Sequence, residues 1–193
     1  MLLVVPVVGT AYNLYATVRD SKVTPVSPSM RFILFGLGIL AVVSILNAFS
    51  GMRSVDYAIH FTSFESGLRS LLVKGSVSMI LFGAIYYIMP RLSGCEWLSS
   101  SLINLHFLGS AYGACMTSSM LILSGFAAGS ALNDAESNFA QVLDLGSSYY
   151  WGNTLSYTLL IGGYAVFLLH FLLMAVRIGQ PCLLYTSPSP RDQ

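Results

Sequence analysis

The sequence has few charged residues and few cysteines. Lys, Arg, Asp and Glu make up 9% of the 193 residues, whereas an ordinary soluble domain contains about 25%. The net charge is +1 and no basic cluster is present, which excludes a nucleic-acid interface. The three cysteines form no CxxC and no paired spacing, so neither a disulfide framework nor a thiolate metal site is predicted. Because 55% of the residues are hydrophobic, the composition predicts an integral membrane protein.

Five long apolar segments each predict a membrane-spanning helix. They cover residues 1–18, 30–49, 66–89, 102–128 and 150–176. The segment 30–49 would be about 30 Å long, the thickness of the hydrocarbon core. Alternation with a period of two is absent, which disfavours a β-barrel. We therefore predict an all-α, polytopic transmembrane helix bundle of about five helices over residues 1–181, part of a larger bundle.

Both ends of the chain differ from a natural terminus. Residues 182–192 correspond codon by codon to a translated transposase adapter that is used for sequencing libraries. We therefore predict that the tail 182–193, "CLLYTSPSPRDQ", is artefactual. The first segment is apolar from Met1 onward and lacks the charged start of a secretory signal. We expect the natural protein to extend in both directions.

The basic residues predict an orientation in the membrane. The loops after the first, third and fifth segments carry five of them: Arg19, Lys22, Arg31, Arg91 and Arg177. The opposite side carries Arg53 and Arg69, and its loop at 130–149 is acidic. The positive-inside rule therefore predicts that the end of the fifth helix is cytoplasmic and that His60 lies on the other side.

Small residues recur every four positions in the fourth segment. They are Gly109, Gly113, Thr117, Leu121, Gly125 and Gly129, of which only Leu121 is large. This spacing predicts a stripe along one helix face that lets another helix approach closely. Packing within the bundle is the simplest interpretation.

Three charged residues open the third segment. Glu65 and Arg69 are four residues apart with the acid first, which favours a helical ion pair. The side chain of Lys74 is long enough to return its ammonium group to the membrane surface. A cation inside a membrane helix is also a functional hypothesis by default, so both interpretations stay open.

The three histidines do not predict a metal site. His60 and His106 belong to opposite membrane faces and cannot share a metal ion. His106 and His170 lie at similar depth and can meet, although packed, hydrogen-bonded histidines are the simpler interpretation. The sequence shows no nucleophile–base arrangement and no Gly-rich phosphate loop. We therefore assign no catalytic residue and no metal ligand.

The motifs "RSV…HFT.F" and "FGAIYYIMPRL.G..W" resemble subunit I of the haem–copper terminal oxidases, in particular the cbb3-type cytochrome c oxidases. The resemblance covers nearly all of residues 1–181. It implies electron transfer from cytochrome c to oxygen coupled to proton translocation, with haem b and copper as cofactors. It also implies other respiratory-complex membrane subunits and a c-type cytochrome as partners, and a location in the bacterial inner membrane.

In that family a His-x-His pair after the "HFT" motif ligates the two haems. Counting from His60, the pair falls on Leu68 and Ser70, and neither side chain is a usual haem donor. The resemblance leaves His60 and Arg53 as haem-side or vestigial contacts, and it puts the copper ligands upstream of Met1. We therefore expect this chain to ligate neither haem nor copper, and whether it belongs to an active enzyme stays open.

Two alternatives follow from the missing ligands. One is a non-catalytic membrane scaffold subunit of a respiratory complex, and the other is a transporter. We also hypothesise that Arg69 and Lys74, with larger apolar residues, fill the space of the haems or bind an anionic partner there.

Overall fold

The structure is a computed structural model that describes residues 4–20, 27–134 and 136–185, and these residues are almost entirely helical. The helices are α1 (Val4–Asp20), α2 (Pro28–Ser50), α3 (Arg53–Ile59), α4 (Phe64–Ser70), a π-helical segment (Leu71–Val77), α5 (Ser78–Ser93), α6 (Ser100–Leu132) and α7 (Phe139–Tyr185). No strand is present among these residues. The segments α4, π and α5 follow one another without a break and form one long helix.

Four helices are long and apolar enough to cross a membrane. They are Pro28–Ser50, Phe64–Ser93, Ser100–Leu132 and Phe139–Ile178 within the described ranges. α1 is described over 17 residues, or about 26 Å, which is less than the hydrocarbon thickness of about 30 Å. The prediction of an all-α transmembrane bundle is confirmed.

Local sequence signals explain several helix ends. The Ser27 hydroxyl accepts a hydrogen bond from the Met30 amide, and Pro28 occupies the first turn of α2, where its missing N–H costs nothing. The third segment does not stop at Pro90 as predicted, because the helix continues to Ser93. It ends at Gly94, whose φ of 65° lies in the left-handed region that favours glycine after a helix.

α7 begins earlier than the predicted start at residue 150. Asn138 and Gln141 cap it reciprocally: the Gln141 amide donates to Asn138 Oδ1 at 2.9 Å, and the Asn138 amide donates to Gln141 Oε1 at 3.0 Å. This arrangement is a capping box. It stabilises the start of α7, so that the residues before 150, which the sequence predicts as a loop, are helical from Phe139 onward. α7 also includes residues 182–185, whereas residues 186–193 of the predicted artefactual tail lie outside the described residues. The origin of the tail stays a prediction.

The small residues of α6 allow other helices to approach closely, as predicted, but they lie on two faces of α6 rather than on one. A Cβ atom added to Gly113 would lie 2.8 Å from the Cα of Leu160 on α7, whereas one on Gly125 would lie 2.8 Å from the Cα of Phe64 on α4. At 3.6 residues per turn, a four-residue spacing rotates by about 40° per step. The stripe therefore winds around α6, so that its first glycines face α7 and its last glycines face α3 and α4.

Candidate functional site

The two positions that the resemblance assigns to haem ligands, 68 and 70, lie on α4, which packs against α6. Leu68 is 4% exposed and belongs to an apolar cluster with Ile59 and Phe64. The Ser70 hydroxyl is buried without a protein hydrogen-bond partner. Close packing is possible because Gly67 has no side chain: a Cβ atom there would lie 2.7 Å from Ile122 Cγ1. Apolar side chains and a close helix contact therefore fill this side of α4.

A π-helical segment that no local sequence signal predicts follows α4 directly. Its seven residues, Leu71–Val77, interrupt the regular α-helical hydrogen bonding. At its end, the Ser78 hydroxyl donates to the carbonyl of Val73, five residues earlier, at 2.8 Å. π-Helical turns are rare and occur frequently at functional sites. The segment also contains Lys74, the cation that the sequence singled out.

Lys74 contacts a tyrosine of another helix. Its Nζ donates a hydrogen bond to the Tyr157 hydroxyl and lies 4.0 Å from the centroid of the Tyr157 ring. The return of this ammonium group to the membrane surface stays a prediction. The ammonium group links the π-helical segment to α7, through a hydrogen bond and a cation–π contact.

Arg69 lies apart from Lys74, on the side of α2. Together with Glu65 it lines a pocket of about 280 Å³ between the end of α2 and the start of the α4–α5 helix. The remaining lining residues are Asn47, Ser50, Leu68 and Leu72. The ion pair predicted between Glu65 and Arg69 is absent, since the ion pair found among the described residues joins other side chains. The hypothesis that Arg69 and Lys74 act in one space is thus not supported by their positions.

His60 and Arg53 belong to α3 and its end. The His60 Nδ1 lies 3.4 Å from Asp56 Oδ1, and about half of each side chain is exposed. His60 is followed by Phe61, whose φ is 63°. Arg53 is exposed at the start of α3. Neither His60 nor Arg53 belongs to the apolar cluster around Leu68 or lines the pocket beside Arg69, so their role as haem-side contacts stays a prediction.

His106 and His170 are brought into one aromatic cluster near the opposite end of the bundle. Both are fully buried, and both lie beside Tyr86, with ring centroids at 5.8 and 6.4 Å. His106 Nδ1 is 3.0 Å from the Tyr86 hydroxyl, and the Trp97 ring lies 4.9 Å from that of His170. Phenylalanines complete the cluster: Phe32, Phe82, Phe107 and Phe167.

Some of the buried polar groups in this cluster have hydrogen-bond partners and others have none. Trp97 Nε1 donates to the Tyr86 carbonyl at 3.0 Å, which joins the loop after α5 to the helix itself. His106 Nε2 and both ring nitrogens of His170 have no protein partner. Within the described ranges, no three His, Cys, Asp or Glu side chains come close enough to hold a metal ion. His106 is therefore a packed, hydrogen-bonded histidine, which is the simpler of the two interpretations of the sequence.

Comparison with known proteins identifies the family. The family model described as cytochrome c and quinol oxidase polypeptide I matches residues 1–159. The chain belongs to this family. It is also 27% identical over 111 residues to the Cbb3-type cytochrome c oxidase subunit CcoN1 of Stutzerimonas stutzeri, a match that covers 55% of this chain and 23% of that protein. The chain therefore spans about a quarter of the length of this curated relative.

Family membership confirms the resemblance to subunit I that the sequence motifs carried. Together with the four apolar helices, it makes this chain part of a multi-pass membrane protein. Haem and copper are the cofactors of the family, and its members are subunits of respiratory oxidase complexes. The correspondence of positions 68 and 70 to the haem ligands of the family stays a prediction from the resemblance.

Proposed function

We propose that this chain is the carboxy-terminal membrane part of a cbb3-type oxidase subunit I-like protein, in which it forms helical scaffold and ligates no haem. The family activity, electron transfer from cytochrome c to oxygen coupled to proton translocation, is proposed for the complex to which the protein belongs. The observation that carries the proposal is the pair Leu68 and Ser70 at the ligand positions. Haem iron in proteins is held by His, Cys, Met or Tyr side chains.

The surroundings of Leu68 support this interpretation. Its side chain offers no electron pair, and it is 4% exposed within an apolar cluster. Gly67 and Gly125 allow α4 and α6 to touch through their backbones, so no haem fits between these two helices. The nearest methionine along the helix, Met79, is itself completely buried in the aromatic cluster of α5.

The other histidines of the described residues do not replace the missing ligands in this proposal. His106 on α6 and His170 on α7 are completely buried among aromatic rings, most of which belong to α2, α5 and the loop after α5. His60 follows the last residue of α3, and its Nδ1 lies 3.4 Å from Asp56 Oδ1. The proposed partners are other membrane subunits of a respiratory complex and a c-type cytochrome, in the bacterial inner membrane with the end of α7 on the cytoplasmic side.

The decisive experiment measures haem bound to the full-length protein. We expect a pyridine haemochrome assay to find no haem that depends on residues 60–93. The double variant Leu68→His/Ser70→His, which restores the family's ligand pair, is the positive comparison, and Leu68→Gln/Ser70→Gln is its matched control. Two haems per chain in the unmodified protein, unchanged in the glutamine variant, would refute the scaffold function.

A further inference from the structure

Three ring nitrogens of the two buried histidines have no hydrogen-bond partner among the described residues. They are His106 Nε2, His170 Nδ1 and His170 Nε2. Both side chains are 0% exposed, so neither water nor the other helices of a larger bundle can reach these atoms. Buried polar atoms without a partner are rare and costly. A partner for these nitrogens must therefore be small enough to fit between the two rings without a water-sized cavity.

The arrangement of α6 and α7 turns the two rings toward each other. The helices are joined by a short loop and run in opposite directions, and they touch closely, since a Cβ atom on Gly109 would lie 3.0 Å from the Cα of Gly163. Side chains on a helix lean toward its N-terminus. His106 therefore leans toward the level of His170, and His170 leans toward the level of His106. Both rings lie beside Tyr86, and they are near enough for a charge on one to act on the other.

The hydrogen bond of His106 leaves a lone pair free. Its Nδ1 lies 3.0 Å from the Tyr86 hydroxyl. Burial without a charged partner favours the neutral imidazole, which has one N–H and one lone pair. With the proton on Nδ1, the N–H donates to the Tyr86 oxygen and Nε2 keeps its lone pair, the arrangement that is usual in a metal-bound histidine. A neutral His170 also offers one lone pair.

The surroundings of the two lone pairs determine which ion fits. Within the part of the chain that the structure describes, no Asp, Glu or Cys joins the two histidines in a metal-binding group. A structural Zn²⁺ site takes four donors, and a divalent ion without an anionic donor is costly to bury. Cu(I) has a single charge, binds imidazole and is stable with two nitrogen donors in line. Aromatic faces attract a cation, and the Trp97 ring lies 4.9 Å from that of His170.

We propose that His106 Nε2 and one ring nitrogen of His170 bind a Cu(I) ion between α6 and α7. Tyr86 is a positioning residue, which fixes the orientation of the His106 ring through its hydroxyl. The aromatic rings around the site exclude water and stabilise the single positive charge. This site is separate from positions 68 and 70 and from the copper ligands that the resemblance puts upstream of Met1. The proposal holds whether or not the protein carries haem.

Anaerobic titration of the full chain in detergent with Cu(I), in competition with the chelator bicinchoninate, tests the proposal. The cysteine thiols are alkylated beforehand so that they do not compete for the ion. We expect one Cu(I) ion whose X-ray absorption spectrum shows imidazole nitrogens and the intense edge peak of a two-coordinate ion. His106→Gln and His170→Gln should each remove this ion. Tyr86→Phe should keep the site but weaken its affinity about 10–100-fold, the usual effect of losing the partner of a metal-bound histidine.

Matched controls use the remaining histidine and the neighbouring tyrosine. His60→Gln and Tyr87→Phe change exposed side chains and should leave the affinity for Cu(I) unchanged, provided that circular dichroism shows equal helicity in every variant. Bound Cu(I) should also raise the thermal stability of the unmodified chain, because it binds only the folded state. The spectrum of the unmodified chain decides the question even where a histidine variant does not fold. Absence of Cu(I) binding, sulfur in place of nitrogen around the ion, equal binding in a folded His170→Gln variant, or a preference for Zn²⁺ would overturn the proposal.

Discussion

The contact between α2 and the π-helical segment offers the sharpest test of the packing. Gly36 and Gly38 lie two residues apart on α2 and face different surroundings. A Cβ atom on Gly36 would lie 2.8 Å from the Ser76 carbonyl oxygen and 2.8 Å from Ile80 Cγ1, whereas one on Gly38 would have no atom within 4 Å. Gly36→Ala and Gly38→Ala therefore make the same chemical change in one helix with different consequences.

The expected difference follows from the geometry. An ordinary contact requires 3.4 Å or more, so Gly36→Ala must move α2 away from the backbone of the π-helical segment. Overpacking of this kind costs about 1–3 kcal/mol. The intrinsic gain from replacing glycine by alanine in a helix, up to about 1 kcal/mol, occurs in both variants and cancels in the comparison. We therefore expect Gly36→Ala to be about 1–3 kcal/mol less stable than Gly38→Ala.

The free energy of unfolding is measured for both variants by dodecyl sulfate titration of the chain in mixed micelles, followed by circular dichroism. A difference of 1.4 kcal/mol corresponds to about a tenfold change in the unfolding equilibrium, which this titration resolves. Equal stability of the two variants would show that α2 does not approach the π-helical segment as described. A less stable Gly38→Ala would place the opposite face of α2 in the interface.

Two further predictions concern tyrosines. Tyr157→Phe removes the hydroxyl that accepts a hydrogen bond from Lys74, and it should destabilise the chain by about 1–3 kcal/mol. Adding Lys74→Met should recover most of this loss of stability. A double-mutant cycle without coupling energy would contradict the contact. Tyr86→Phe leaves the completely buried His106 Nδ1 without its partner at 3.0 Å and should cost about 1–3 kcal/mol. Tyr87→Phe, at a 51% exposed position, is the control and should change thermal stability little. An equal loss of thermal stability in the two variants would refute the hydrogen bond between Tyr86 and His106.

Local signals were sufficient where the structure depends on local chemistry. The long apolar segments predicted membrane helices because unpaired backbone groups are too costly in hydrocarbon, and four such helices are present in the described ranges. The motifs around His60 and Tyr86 predicted the family that the comparison found. The capping box at Asn138 and Gln141 is also a local sequence signal, and it explains why α7 begins before the predicted residue 150.

The candidate site was only partly predictable. The spacing from His60 predicts Leu68 and Ser70 as the altered positions, but no local pattern predicts the π-helical segment that follows them. Helix spacing predicted a Glu65–Arg69 pair, although the structure aims both side chains at a pocket shared with α2. Likewise, Lys74 donates a hydrogen bond to Tyr157, which is 83 residues later in the sequence. Such contacts depend on the rotation and the distance of packed helices, which no single helix encodes.

The sequence by itself determined that this chain is an all-α membrane protein of the oxidase subunit I family, with Leu68 and Ser70 at the positions that the resemblance aligns with the haem ligands. Only the tertiary structure decided that the first glycines of α6 face α7 and its last glycines face α3 and α4. It also decided that His106 and His170 both lie beside Tyr86. The physical reason is that hydrophobicity and side-chain chemistry belong to individual residues. Packing instead depends on which faces of several helices come to lie against one another.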